Sequence, residues 1–309
     1  MRFFGLNPTR ARSAPGPLGL DIGASALRWA QRLPGRPARL ERTALSLSLP
    51  PSPERLSQDI RAGWRQLDTG VTEVALALPA CSVCYRVLSL PQLPEHQLEA
   101  LLGAQAGLWL SQPAAAISFD FQALPAHPQA EASDQTAMLL CATPLATVQA
   151  FVAPVQQAGL KVVRLDVDCF ALMAASAHLT PWHAARFGRR VLLHATEHEA
   201  VCHVFQPGAS VPDQAPTRFA LPPCATEAEE LQSVRQRIES LDPEAALLSG
   251  ETRQLRRIER GLRLTLRAPA LIVPLWAGLS AEETPTAGLN ADDAGAWALA
   301  CALAWAPSP

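Results

Sequence analysis

Lysine is almost missing from this 309-residue chain: Lys161 is the only one, and arginine carries the rest of the basic charge. High alanine and proline accompany the arginine, a bias of genome composition rather than of fold. With 26 basic residues against 28 acidic ones the formal charge is −2, so there is no basic surplus to draw in a nucleic-acid backbone. No run reaches the roughly 18 consecutive apolar residues that a membrane span needs. The start, "MRFFGLNPTRAR", has no apolar h-region, so no secretory signal is expected. Phe3 and Phe4 beside Arg2, Arg10 and Arg12 read as a frayed terminus. The seven cysteines are odd in number and scattered through apolar stretches. That is the pattern of buried thiols in a reducing compartment, not of a disulfide framework. A G-x-S-x-G elbow and any Ser/His/Asp order are also missing, which leaves a hydrolase without a nucleophile.

What is present is an alternation of strands and helices, in a chain long enough to need two or more lobes. Leu18 to Ile22, Leu27 to Arg32 and Leu40 to Leu49 read as strands, the last two joined by the turn "PGRP". In "PPSPERLSQDIRAGWRQLD", Ser52 can cap a helix, Pro53 suits its first turn, and Leu56, Ile60, Trp64 and Leu67 share one face. "VTEVALALPA" is apolar almost throughout, as a strand buried on both faces would be. Then come a strand, "CYRVLSLP", and a helix, "PEHQLEALLGAQAGLWL", expected to bury Leu98, Leu101, Leu102, Leu108 and Trp109. "AISFDFQAL" alternates, with Ile117, Phe119 and Phe121 on one face and Ser118, Asp120 and Gln122 on the other. A polar loop from Ala126 to Gln135 leads into the strand "TAMLLCAT". The helix "PLATVQAFVAPVQQAGL", expected to kink at Pro154, precedes the strand "KVVRLDV" and a helix from Cys169 to about Leu179.

The second half opens on a hairpin, "RRVLLHATEHEAVCHVFQPG". The helix "TEAEELQSVRQRIESLD" has Thr226 and Glu229 in capping-box spacing and an apolar face of Leu231, Val234, Ile238 and Leu241. "EAALLSG" reads as a strand, "ETRQLRRIERGLRLTL" as a helix and "AGAWALACALAW" as a closing helix. In the arginine-rich helix Leu255, Ile258 and Leu262 mark the buried side, so the arginines decorate the solvent side. The proline-rich stretches Pro50 to Pro53 and Pro207 to Pro223 read as loops. Two clusters could suggest metal. "CSVC", Cys81 to Cys84, lacks a second pair or a following helix, so its thiols read as structural. "HATEHEAVCH" places His198 and His203 one residue too far apart for the zincin spacing, and its flanks read as strands. No metal site is expected from either.

The ordered series of segments resembles the PilM family, actin-like proteins of type IV pilus assembly related to FtsA. "GLDIGASALR" is similar to the first phosphate motif of actin-like ATPases. "VALALPACSVCYRVLSLPQLPEHQLEALLGAQA" is similar to the family's passage into an inserted subdomain. "ISFDF", "LLCATPLATVQAFVAPVQQAGLKVVRLDVDCFAL" and "GAWALACALAW" follow in the family's order. The resemblance implies an α/β, actin-like (RNase H-like) two-lobed fold with an inserted strand-helix-strand-strand, SHS2-like subdomain. The first lobe would cover 15–80 and 161–185, the insert 81–160, and the second lobe 186–309, with a reduced fourth subdomain around 207–248.

By the same resemblance Asp21 would face the metal–phosphate end of a nucleotide, and Gly23 and Ala24 would bring backbone N–H groups to phosphate. Ser25 would add a hydroxyl, and Arg28 stands where relatives often have lysine. Gly250 and Glu251 fall at the adenosine-side turn, which here reads "LLSGET". The second phosphate turn departs from the pattern, with His194 in the place of an aspartate and Thr196 in that of a glycine. Asp166 and Asp168 resemble the acidic pair at the lobe connection. The expectation is no cofactor, or weak ATP with magnesium, and no turnover. The implied partner is a PilN-like inner-membrane protein, bound through a short extended cytoplasmic peptide beside the Tyr85 to Leu90 strand and the Pro94 to Leu110 helix. The protein would then be cytoplasmic and reach the inner membrane through that partner, with self-association left open. Two other readings remain: an active ATPase or small-molecule kinase of the same superfamily, and a GspL-like module of type II secretion. The latter normally continues into a membrane span, whereas this sequence ends at "AWAPSP", which favours a partner in trans.

Overall fold

In the computed structural model a short strand near the start of the chain, β1 (Leu18–Ile22), is covered by the last helix, α5 (Ala294–Trp305). A Cβ on Gly19 would lie 1.9 Å from the Ala300 carbonyl oxygen, so only glycine lets the helix come this close. The structure describes residues 16–23, 26–33, 39–46, 52–124, 135–176, 188–195, 199–206, 217–220, 232, 236, 238–250, 255, 258–259, 262, 270–273 and 294–305.

The first sheet has the order β3-β2-β1-β4-β8, with β2 (Ala26–Leu33), β3 (Arg39–Ser46), β4 (Glu73–Leu78) and β8 (Lys161–Val167). β1, β2 and β3 pair antiparallel, whereas β4 lies parallel to both β1 and β8. Helix α1 (Pro53–Gln66) starts at Ser52, whose hydroxyl accepts the Arg55 N–H at 3.2 Å. Ile60 is fully buried on its inner face, and Gly63 lets the Trp29 indole press against the helix. The Arg61 guanidinium donates to the carbonyls of Gln157 and Ala158. It thereby answers the bare C-terminal carbonyls of α3 (Leu145–Gln157), which runs through Pro154. These two helices cover the Leu20 and Trp29 face. Helices α5 and α4 (Asp168–Ser176) cover the opposite face, that of Gly19 and Ala30.

The second sheet repeats that plan in the order β11-β10-β9-β12-β13. Its strands are β9 (Arg190–Ala195), β10 (Glu199–Phe205), β11 (Thr217–Ala220), β12 (Ala245–Gly250) and β13 (Ala270–Ile272). Again the first three pair antiparallel and the last two parallel. Val191, Leu193, Ala246 and Leu248 point to a core with Ile238, Leu255, Ile258 and Leu262. Leu192 and Leu247, one residue on along each pleat, point instead into the core shared with α5. Helix α5 thus lies between the two sheets and packs on both β1 and β12.

Between β4 and α3 a three-stranded insert is built in the order β5-β7-β6, from β5 (Cys84–Pro91), β6 (Ile117–Ala123) and β7 (Gln135–Pro144). Helix α2 (Glu95–Leu110) covers one face of it, against Ile117, Phe119 and Ala142. Three expectations fail here and beyond. Leu101 is 37% and Leu108 73% exposed, because α2 packs through Leu102, Gly103 and Ala106, and the bare backbone at Gly103 lets the helix settle onto Phe119. Ser118 and Asp120 are buried, because the face of β6 away from α2 is covered by the first lobe. Thr217–Ala220, read as loop, is a strand paired to β10. The expected polar loop up to residue 134, the capping box at Thr226 and Glu229, and the arginines of the expected 251–266 helix lie outside the described residues, as do residues 47–49 and 177–179 of the expected third strand and fourth helix.

Candidate functional site

The first phosphate-like turn closes on itself. β1 and β2 meet with Ile22 opposite Leu27, and the Gly23 N–H donates to the Ala26 carbonyl at 3.0 Å. Asp21 therefore stands directly opposite Arg28, and the guanidinium lies 3.7 Å from its carboxylate in a largely buried pair. A Cβ on Gly23 would come within 3.1 Å of the same guanidinium, so the arginine lies over the bare backbone of the turn. Ala24 and Ser25 lie outside the described residues.

Beside this turn stand two more carboxylates. Asp166, next to the last residue of β8, accepts the Val167 N–H at 2.8 Å. Burial pushes its pKa up to about 6, against the opposing pull of Arg164. Arg164 itself is buried and donates to the Leu303 carbonyl of α5. Asp168 opens α4 and accepts N–H groups from Ala80, at 3.1 Å, and from Cys169. Burial is the main reason its pKa rises to about 7, with Asp21 and Asp166 adding negative charge nearby. The C-terminal ends of β1, β4 and β8 thus form one acidic corner, the position at which open α/β sheets place their ligands.

The second lobe faces this corner with different chemistry. His194 of β9 and Ser249 of β12 are register partners, and Nδ1 of the imidazole is 2.9 Å from the serine hydroxyl. Gly250 has φ +115°, and a Cβ there would sit 1.9 Å from the Ala195 carbonyl oxygen. Close packing of β12 on β9 therefore demands this glycine, whether or not a ligand is near. Glu251 and Thr196 lie outside the described residues. His203 of β10, the register partner of Leu192, is buried, which with its neighbour His194 lowers its pKa to about 4. Its Nδ1 is 3.4 Å from the hydroxyl of Tyr85, on the insert. Tyr85 in turn packs edge-on against Phe170 of α4, with ring centroids 5.3 Å apart.

The same strand that carries Tyr85 offers a second kind of site. β5 is the outer strand of the insert, paired to β7 alone among the described residues. Along its pleat Tyr85 and Val87 face the lobes, opposite Cys141 and Leu139, while Arg86 and Leu88 face α2. Val87 is 49% exposed, and the Arg86 guanidinium stacks 4.9 Å from the Trp109 ring. Sequence reasoning missed two features here. Counting outward from Gly23 and Ala26 would have paired Asp21 with Arg28. Nothing local signals the contact of Tyr85 with His203, 118 residues apart.

Residues 40–185 match the family model described as type IV pilus assembly protein PilM. The chain is similar in fold to a solved PilM–PilN type IV pilus biogenesis complex, with a TM-score of 0.72 at 20% identity over 95% of this chain and 99% of that one. Weaker likeness links it to a protein of actin-like ATPase fold and unknown function from Bacteroides thetaiotaomicron, with a TM-score of 0.48 at 11% identity over 84% of this chain and 91% of that one. The cytoplasmic domain of EpsL, an inner-membrane component of the type II secretion system of Vibrio cholerae, has a TM-score of 0.44 at 11% identity over 92% of each chain. A comparison with curated protein sequences gave no match. The fold is actin-like, and the chain is PilM-like, as the sequence motifs imply.

Proposed function

We propose that this PilM-like, actin-like protein is a non-catalytic scaffold of a type IV pilus assembly platform. It takes the short cytoplasmic tail of a PilN-like inner-membrane protein along β5, and its nucleotide binding is weak or lost. The observation that carries this reading is the outer position of β5, with Val87 half exposed beside it. An added strand would hydrogen-bond to the outward backbone groups of β5. Its alternate side chains would fall toward Val87 on one face and toward Leu88, Leu90 and Trp109 on the other. The PilM match includes this whole insert, and the similar solved structure contains PilN. Among the described residues no helix is long and apolar enough to cross a membrane. In this reading membrane attachment falls to the partner, and the scaffold works on the cytoplasmic side.

The residues fit ATP with magnesium poorly. The Gly23 N–H is already bonded to Ala26, Arg28 neutralises the carboxylate that would face the metal, and Oδ1 of Asp168 is held by two backbone N–H groups. In the second lobe His194 stands where a phosphate turn would carry its aspartate, and its imidazole is paired with the Ser249 hydroxyl. The test is fluorescence-polarisation binding of the partner's N-terminal peptide to the full chain. Binding should weaken about tenfold or more in Val87→Asp, equivalent to ~1.4 kcal/mol, with the fold unchanged. No binding at high micromolar peptide overturns the scaffold reading. A saturable thermal shift with millimolar ATP–magnesium that Asp21→Ala abolishes would establish the ATPase or kinase reading instead.

A further inference from the structure

We infer that Asp168, Cys169 and His203 form a binding site for one zinc-class divalent cation, which would join the two lobes. One donor atom from each of these residues lies within 4.8 Å of the other two. Asp168 and Cys169 stand at the first turn of α4 in the first lobe, and His203 comes from β10 in the second. Neither cysteine-pair nor H-E-x-x-H spacing announces this cluster, because the fold alone brings the two halves together.

The donor set selects the ion. One imidazole nitrogen, one thiol sulfur and one carboxylate oxygen suit zinc, which takes such ligands at about 2.0–2.3 Å in a tetrahedron. Magnesium wants an octahedron of oxygens and would find a single oxygen donor among these three residues, so this site is chemically separate from a nucleotide's metal. Tetrahedral zinc sets its ligand atoms about 3.5 Å apart. The cluster would therefore contract by roughly 1 Å at its widest, a small side-chain rotation. The fourth position is left to water.

The surroundings support the assignment. The Oδ1 atom of Asp168 is fixed by Ala80 and Cys169 N–H groups, which orients the carboxylate. The Tyr85 hydroxyl beside His203 Nδ1 supplies the outer hydrogen-bonding partner that ligating imidazoles usually have. His203 stays neutral because of its burial, and so keeps a ring lone pair for a metal. Without a cation, burial and the Asp168 charge keep the Cys169 thiol protonated and inert. Binding converts it to thiolate and releases the thiol proton to solvent, together with any proton still held by the Asp168 carboxyl, while the metal keeps its oxidation state.

The experiment is a cobalt titration of the full chain after chelator treatment. One equivalent of cobalt should give an intense thiolate-to-cobalt charge-transfer band, and zinc should displace it. Cys169→Ser should abolish the band, whereas Cys301→Ser, which removes another buried thiol, should keep it. His203→Gln and Asp168→Asn should each weaken cobalt binding about tenfold or more, with circular dichroism confirming the fold. A folded wild-type protein that gives no such band overturns the inference. So does a band that survives Cys169→Ser, or an affinity unchanged in Asp168→Asn; this last comparison decides the matter if the cysteine variant fails to fold.

Discussion

The two five-stranded sheets share one order and one set of strand directions, yet the hairpins that open them carry opposite chemistry. In the first lobe the hairpin places a carboxylate against a guanidinium, Asp21 opposite Arg28. In the second lobe His194 looks sideways across the sheet to Ser249. Packing explains why the architecture survives this difference. Each sheet is held by apolar faces and by glycines at points of closest approach, Gly19 under α5 and Gly250 against Ala195, none of which depends on a bound phosphate. The packing that holds the architecture is thus separable from the anion-holding loops.

Three perturbations would break or sharpen that contrast. The largest effect is expected at Gly250→Ala, which must hold a side chain at positive φ and clear the Ala195 carbonyl. A loss of about 3 kcal/mol or more in urea unfolding is expected, and a loss below about 1 kcal/mol would show that the second sheet tolerates separation of β12 from β9. The next effect concerns pH, measured with chelator present. Asp168 titrates near 3.9 in an unfolded chain and at about 7 here, so its contribution is full below the lower value and is lost as pH rises through the higher one. His203 runs the other way. Its folded value of about 4 lies below the unfolded one near 6.5, so its contribution is present above about 6.5 and is lost as pH falls through about 4. Between these limits the two lobes oppose each other. Asp168→Asn should make stability rise more steeply with pH than in the wild type, and His203→Gln should make it fall. Identical slopes in both variants would contradict the opposition. The smallest effect is expected at Ser249→Ala, about 1 kcal/mol for one net hydrogen bond, read from the urea midpoint.

Much of the architecture was legible because it is written in short-range pattern. Ser52 and Pro53 announce the start of α1, and the unbroken apolar run through Val74 to Leu78 announces a central strand. The face of α2 was misread because hydrophobicity points to Leu101 and Leu108, whereas close packing selects Gly103 and Ala106. Prolines around Thr217–Ala220 hid an outer strand that needs only one partner. Of the candidate site, the Asp-x-Gly turn and the substituted second turn were visible in the residues themselves. The use made of Arg28 was not, since a basic residue at that place can equally greet a phosphate or silence an aspartate. The meeting of Tyr85, Asp168, Cys169 and His203 depends on how three separate units close together, and no window of sequence contains it.

The seating of α5 on β1 has a consequence for biosynthesis. A nascent chain shows the ribosome's surroundings the bare Gly19 and Ala30 face until nearly all the described residues have been made. Contacts between such distant segments close slowly and leave apolar surface open meanwhile. Early-emerging strands are thus the ones that must wait longest for shelter, and shielding by a chaperone would matter most for the half of the molecule that is translated first.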